Sequence, residues 1–367
     1  MLARLKGEIT PGKEDEKFGK ERFIKPSFNI IGPHSSTTLE TMYNEIYRTC
    51  GPDYHEKNDT NYISNCDDKI GKKYLNLRDS LIFSASATID RDDIVKKIKQ
   101  KIQPQDFNKR YLNWFDDRIV RTISTHEKLA GTLICELALR GVKFFNPAMA
   151  DTAIVDEECT LSKHALNAGA MRKKDHIVLI GERDTVYSRH LTGSIKEKIK
   201  NYSAEQGSIE GWVHSFNYLR GIDGINATQV TSITKNKKAE SEQYSLSKKQ
   251  AEKQLRRPTG SNQFDYLRRL VELLEELENT RIKQGGIKAI GILGNDPYDK
   301  LLILQALYKR FPQAVFFTTD MDARFLHPTE LQWTRNLIVA SSYGLRLDEK
   351  LQHDAMPFRD GYQTALY

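Results

Sequence analysis

The sequence predicts an α/β protein of two lobes, each built on a parallel sheet with helices on both faces. Two observations carry this. Short, apolar, β-rich runs alternate along the chain with segments of helical period, which is the pattern of a parallel sheet with helical crossovers. The runs end repeatedly in small, hydroxyl or acidic residues, as strands do where they open onto a binding edge. At 367 residues the chain is long enough for two medium domains or one bilobed domain.

The elements follow in order. A charged extension, 1–27, precedes the first run, Phe28–Gly32, and a helix follows over Thr37–Arg48. A polar insert spans 50–79. Ser80–Phe83 is the next strand, followed by Ser84-Ala85-Ser86-Ala87-Thr88. Arg118–Ile123 is a third strand. Thr125–Arg140 then places Leu129, Leu133, Ile134 and Leu137 on one helical face, and Gly141 stops the helix. This gives a first lobe over 28–124 and a second over 125–345.

In the second lobe, His176–Ile180 is a strand, Ser188–Asn201 a helix and Trp212–Phe216 a strand. A basic insert covers 225–262, with eight Lys or Arg against three Glu between Lys235 and Arg257. A helix over Phe264–Lys283 buries Leu267, Leu270, Val271, Leu274 and Leu277. Lys288–Leu293, Asp299–Phe311, Ala314–Thr318 and Leu337–Ala340 read as strand, helix, strand, strand. Residues 346–367 resemble a segment returning toward the first lobe.

Composition bounds the function. The net charge of +7 is spread along the chain rather than gathered into one run, which reads as a solvated surface. The basic insert holds one aromatic, Tyr244, too few for base stacking, so nucleic acid is not the expected partner. No apolar stretch reaches about 18 residues, so no membrane span is expected. Met1–Lys20 lacks the apolar core of an export signal, which places the chain as written in the cytoplasm. If the gene extends upstream, a periplasmic or membrane-anchored location is expected instead. The four cysteines, Cys50, Cys66, Cys135 and Cys159, form no CxxC pair, which argues against structural zinc. Cys50 and Cys66 are placed to pair in an oxidising compartment; without an export signal the expectation is free thiols.

The candidate site lies in the strand-end segments. They read Gly32-Pro33-His34-Ser35-Ser36, Ser84 to Thr88, Gly181-Glu182-Arg183-Asp184-Thr185-Val186-Tyr187, Gly294-Asn295-Asp296-Pro297, and Thr318-Thr319-Asp320-Met321-Asp322. Hydroxyls beside a helix N-terminus bind anions, small residues admit a ligand to the backbone, and a carboxylate receives an ammonium group. Such a set suits a small zwitterion. Singly, the same residues read as helix caps and turns. Tyr218–Gly224 reads as a hinge, a cleft loop or a plain turn, and Trp114, Trp212 and Trp333 as packing.

The run Ile30-Ile31-Gly32-Pro33-His34-Ser35-Ser36 resembles the turn of the type I periplasmic-binding-protein-like family of receptor ligand-binding regions. Ser84–Thr88, Val120–Arg140, Glu182–Tyr187 and Ile290–Asp320 follow in that family's order, so the resemblance runs from about residue 28 to 345. It implies two Rossmann-like lobes that close on a ligand in the cleft between them. It further implies that Ser35 and Ser36 contact a ligand carboxylate, and that Ser86 and Thr88 hold it from the same lobe. Tyr187 would cover the ligand and Asp320 would receive its amino group; Asp184, Asn295 and Asp296 complete the set. The resemblance implies a sensory domain without a cofactor rather than an enzyme. The family's first strand and helix have no counterpart here, so a longer protein with fused domains, or a homodimer, is expected.

Two other functions remain in view. Asp320-Met321-Asp322 resembles a DxD metal site, with His34, Asp184 and Asp296 as acid–base groups of a metal-dependent enzyme. The same fold also serves as the effector part of regulatory modules with acidic or nucleic-acid partners. No Walker loop, nucleophile elbow, HExxH or GxGxxG is present in the sequence.

Overall fold

The computed structural model describes residues 29–50, 69–70, 80–101, 110–144, 174–203, 208–222, 261–281 and 286–367. The 1–27 extension, the bulk of the 50–79 insert and residues 225–260 of the basic insert lie outside them. Contacts divide the chain into two units, the first ending at Ile123 and the second running from Ser124 to Ala365. The α/β class is as expected, with a parallel sheet in each unit.

In the first unit β1 (Asn29–Ile31), β2 (Leu81–Ser84) and β3 (Ile119–Arg121) lie side by side in that order, all parallel. Helix α1 (Ser36–Cys50) buries Leu39, Tyr43, Ile46, Tyr47 and Cys50, one stripe at spacings of three and four. Two further helices, α2 (Arg91–Gln100) and α3 (Arg110–Asp116), were not expected from the sequence. Helix α2 has only three apolar residues, Ile94, Val95 and Ile98, and all three are buried. One polar node ties the three helices: Tyr43 donates to Asp116 Oδ1 at 2.7 Å, and Arg91 Nε donates to Asp116 Oδ2 at 2.7 Å. Beside it, the Tyr43 and Phe115 rings meet edge to face at 4.7 Å.

The second unit starts with α4 (His126–Leu139), capped by Thr125. Then come β4 (His176–Glu182), α5 (Val186–Ser203), β5 (Val213–Tyr218), α6 (Ser261–Arg281), β6 (Ile287–Leu293), α7 (Pro297–Tyr308), β7 (Val315–Thr319), a 3₁₀ turn (Ala323–Leu326), α8 (Leu331–Thr334), β8 (Ile338–Ala340), α9 (Glu349–Gln352) and α10 (Gly361–Leu366). The five strands are parallel, in the order β5-β4-β6-β7-β8.

The strand sequences explain why both faces are covered. Every residue of β4 is buried. Ile177 and Leu179 enter one core with Leu133 and Leu137 of α4 and Leu191 and Ile195 of α5. Val178 and Ile180 enter another, with Leu270 and Leu274 of α6 and Leu304 and Leu307 of α7. Successive residues thus feed opposite faces, the period-2 rule applied to a doubly buried strand. Trp212 packs in the first core and Trp333 against the second, as packing rather than as exposed stacking surfaces. At the sheet centre Gly291 pairs with Phe317, and a Cβ on Gly291 would lie 2.3 Å from the ring.

No helix among the described residues is long and apolar enough to cross a membrane. The free-thiol expectation is corrected: Cys50 and Cys135 are both disulfide-bonded, and no described cysteine is free.

Candidate functional site

Strand order locates the place to look in the second unit. The chain goes from β4 to β5 on one side, then returns to β6 on the other side of β4. At such a switch point the connecting loops part, and open parallel sheets bind ligands outside the strand C-termini there.

The β4 and β6 ends are joined by polar contacts. Glu182, 1% exposed, accepts through Oε2 from the Asn295 amide at 2.8 Å. The Ser188 hydroxyl donates to the Leu293 carbonyl at 2.8 Å. Tyr218, from the end of β5, leans over Gly294; a Cβ there would sit 2.0 Å from the phenol oxygen and 3.0 Å from Glu182 Oε2. Only glycine fits. Glu182 Oε1 and the Tyr218 hydroxyl are buried with no hydrogen-bond partner among the described residues. Burial, with the nearby carboxylates of Glu182, Asp299 and Asp296, drives the Tyr218 hydroxyl far above the usual phenol range.

One strand further along is an ionic cluster. Lys300 is 3% exposed, and its Nζ donates to the Thr319 carbonyl at 2.7 Å. Burial lowers its pKa, against the opposing pull of Asp320, Asp322, Glu182 and Asp296. Asp320 is half-buried, with a left-handed backbone at φ 62°. Its carboxylate accepts from the Tyr187 hydroxyl and is hydrogen-bonded by Tyr362. With the Tyr187 O–H donating to Asp320, the contact of Tyr187 Oη with Thr319 Oγ1 at 2.8 Å has the threonine as donor. Burial, then the Asp320 charge, holds both phenols well above their ordinary pKa. The carboxylate of this half-buried residue is thereby fixed by two protonated phenols.

The other acidic residues are committed to the scaffold. Asp184 is exposed and accepts from the Arg220 amide at 3.0 Å. Asp296 caps α7 through Tyr298 N and lies 3.6 Å from the Arg220 guanidinium, while Asn295 is exposed. Buried Asp299 accepts from Gly221 N and Ile222 N at 2.8 and 2.7 Å, which pins the loop after β5. Asp322 accepts from Arg324 Nε and Nη2 at 2.8 and 2.9 Å and caps the 3₁₀ turn. Both its oxygens are thus on one guanidinium. Among the described residues no three His, Cys, Asp or Glu side chains converge as a metal would require.

In the first unit the hydroxyls bind one another. Ser35 Oγ accepts from Thr38 N at 3.1 Å, starting α1. Ser36 Oγ accepts from Thr88 N and Ile89 N at 3.2 and 3.1 Å and lies 3.5 Å from Thr88 Oγ1. Ser36 and Thr88 are buried; Ser86 is half-buried. Ser84 completes the link, donating to Pro33 O at 2.9 Å and accepting from Ala87 N. The predicted residues Ser36 and Thr88 do meet, as partners of each other across the β1 and β2 ends.

Sequence reasoning put Glu182 and Thr319 in the strand-end segments without singling them out, and gave Lys300 and Tyr362 no role in the site. Two of them carried a signal. Glu182 ends a strand otherwise apolar after its first residue, and Lys300 stands directly before the apolar run Leu301–Leu304 of α7. A charge that borders a buried run requires a partner.

No family model matches the chain, and no curated protein is significantly similar to it.

Proposed function

We propose that the chain is a ligand-binding domain of sensory type, whose second unit receives the ammonium group of a small, polar, amino-acid-like ligand at Asp320. The observation that carries this is the preset carboxylate at the end of β7, held by Tyr187 and Tyr362 on a half-buried residue. A pre-oriented anion loses little freedom on binding a cation, and a charge-assisted hydrogen bond is about twice as strong as a neutral one. The acid surplus along this edge, with Lys300 as its buried cation, favours a cationic group over an anionic one. The ordered resemblance to the type I periplasmic-binding-protein-like family supports the same reading. The disulfide-bonded cysteines support an oxidising compartment for the domain, in place of the cytoplasmic expectation.

The test is calorimetry on the full chain with a panel of amino acids, the matching amines and the matching carboxylic acids. Saturable binding is expected for members bearing an ammonium group. Asp320→Asn, which keeps the shape, weakens it by about tenfold or more. Binding of the carboxylic acids alone, or an Asp320→Asn chain that binds as well as the parent, would sink the proposal.

A further inference from the structure

The second unit carries another opening that the ionic cluster does not line. It is a groove of about 640 Å³ beyond the ends of β7 and β8, with walls of Met321, Leu326, Val339, Leu345 and Pro357. That volume lies within the range of small-molecule sites. Leu326 is 55% exposed, and Met356, next to Pro357 in the chain, is 84% exposed.

Ser341 and the carbonyls of residues 343–345 in the wall are already in use. Ser341 Oγ accepts from Met321 N at 3.1 Å and donates to Tyr343 O at 2.8 Å. The Gly344 carbonyl accepts from Thr364 Oγ1 at 2.9 Å, and the Leu345 carbonyl from Phe358 N at 2.8 Å. These bonds brace the wall, so the groove is preformed, and they leave its floor offering mainly apolar contact. One lining residue is charged, Arg346. It is exposed and makes no ion pair among the described residues.

An apolar wall with a single unengaged guanidinium fits an amphiphile whose apolar part fills the groove and whose anionic end meets the fork of the arginine. We propose that this groove binds a small aliphatic carboxylate, with Arg346 as the residue that selects the carboxylate. Apolar burial supplies affinity in proportion to chain length, and the charge decides which head group is accepted.

Gly344 lines the groove, and a Cβ placed there meets nothing within 4 Å. Gly344→Leu therefore adds an apolar side chain at the wall without a steric clash and is the variant chosen to obstruct it. Titration of the full chain with octanoate, octylamine and octanol, followed by NMR or calorimetry, tests the proposal. Octanoate is expected to bind saturably and about tenfold or more tighter than octylamine, since the amine sets its charge against Arg346. Arg346→Gln removes that preference, and Gly344→Leu removes octanoate binding, both with unchanged Tm. Three results would overturn the proposal: no saturable octanoate binding, equal binding of octanoate and octylamine, or an Arg346→Gln chain that keeps the preference. If either variant proves unstable, the comparison of octanoate with octylamine on the Asp320→Asn chain, which lacks the other ammonium site, decides alone.

Discussion

Gly291→Ala tests the centre of the second unit's sheet. Gly291 lies opposite Phe317 in the β6–β7 register, and a Cβ there would fall 2.3 and 2.4 Å from two ring carbons. Ordinary contact needs about 3.5–4.0 Å, so the ring must retreat by more than 1 Å. Phe317 is fully buried in a core shared with α4 and α5, with no open side to move into. Overpacking of this kind costs about 1–3 kcal/mol. Against it stands the lower chain entropy of unfolded alanine, about 0.4–1 kcal/mol in favour of the variant. The clash wins, and for a unit of this size Tm falls by roughly 2–4 °C per kcal/mol. Thermal melts followed by circular dichroism measure it. The diagnostic step is the double variant Gly291→Ala/Phe317→Leu, in which leucine vacates the space. The cycle should show coupling of about 0.5–3 kcal/mol, with the pair less damaging than the sum. Strict additivity, or a Gly291→Ala chain as stable as its parent, would refute the register.

Three other outcomes are expected. Tyr187, Tyr218 and Tyr362 have folded pKa values above the unfolded 10.0, so their contribution is complete below pH 10 and is lost as pH rises through the folded values; phenolate absorbance should lag for these residues until the chain unfolds, and early titration of all the tyrosines would contradict this. Lys300→Met leaves the carboxylates of Asp320, Asp322, Glu182 and Asp296 without their buried cation and the Thr319 carbonyl without its donor, which should cost about 3–5 kcal/mol in urea denaturation, whereas a neutral effect would show that the acids are satisfied without it. Cys50→Ala should lose about 2–4 kcal/mol under non-reducing conditions and nothing further on adding reductant at that bond, and a titratable thiol at Cys50 in the unreduced parent would contradict the bonded state.

Much of the fold was legible in the sequence because parallel strands buried on both faces are nearly continuous apolar runs. Ile177–Ile180 and Ala289–Leu293, apart from Gly291, have no other place to go. The helices α4, α6 and α7 were equally plain. Helix α2 was not, since three apolar residues in ten give little contrast until the core that receives them is known. The site was legible only in outline. Strand ends with hydroxyls and acids marked the edge, and Tyr187 and Asp320 do meet there. Their roles depend on distance in the chain: Tyr187 and Asp320 are 133 residues apart, and Ser36 and Thr88 are 52.

Local pattern, then, determined where strands and helices form and which edge carries the chemistry, because burial period and turn chemistry act over a few residues. Only the tertiary structure decided which polar groups satisfy each other and which remain available. It turned Ser36 and Thr88 toward each other, set both Asp322 oxygens on Arg324, and brought the phenols of Tyr187 and Tyr362 onto Asp320. The physical reason is that a buried polar group takes whichever partner the packing brings within about 3 Å, and packing is a property of the whole unit.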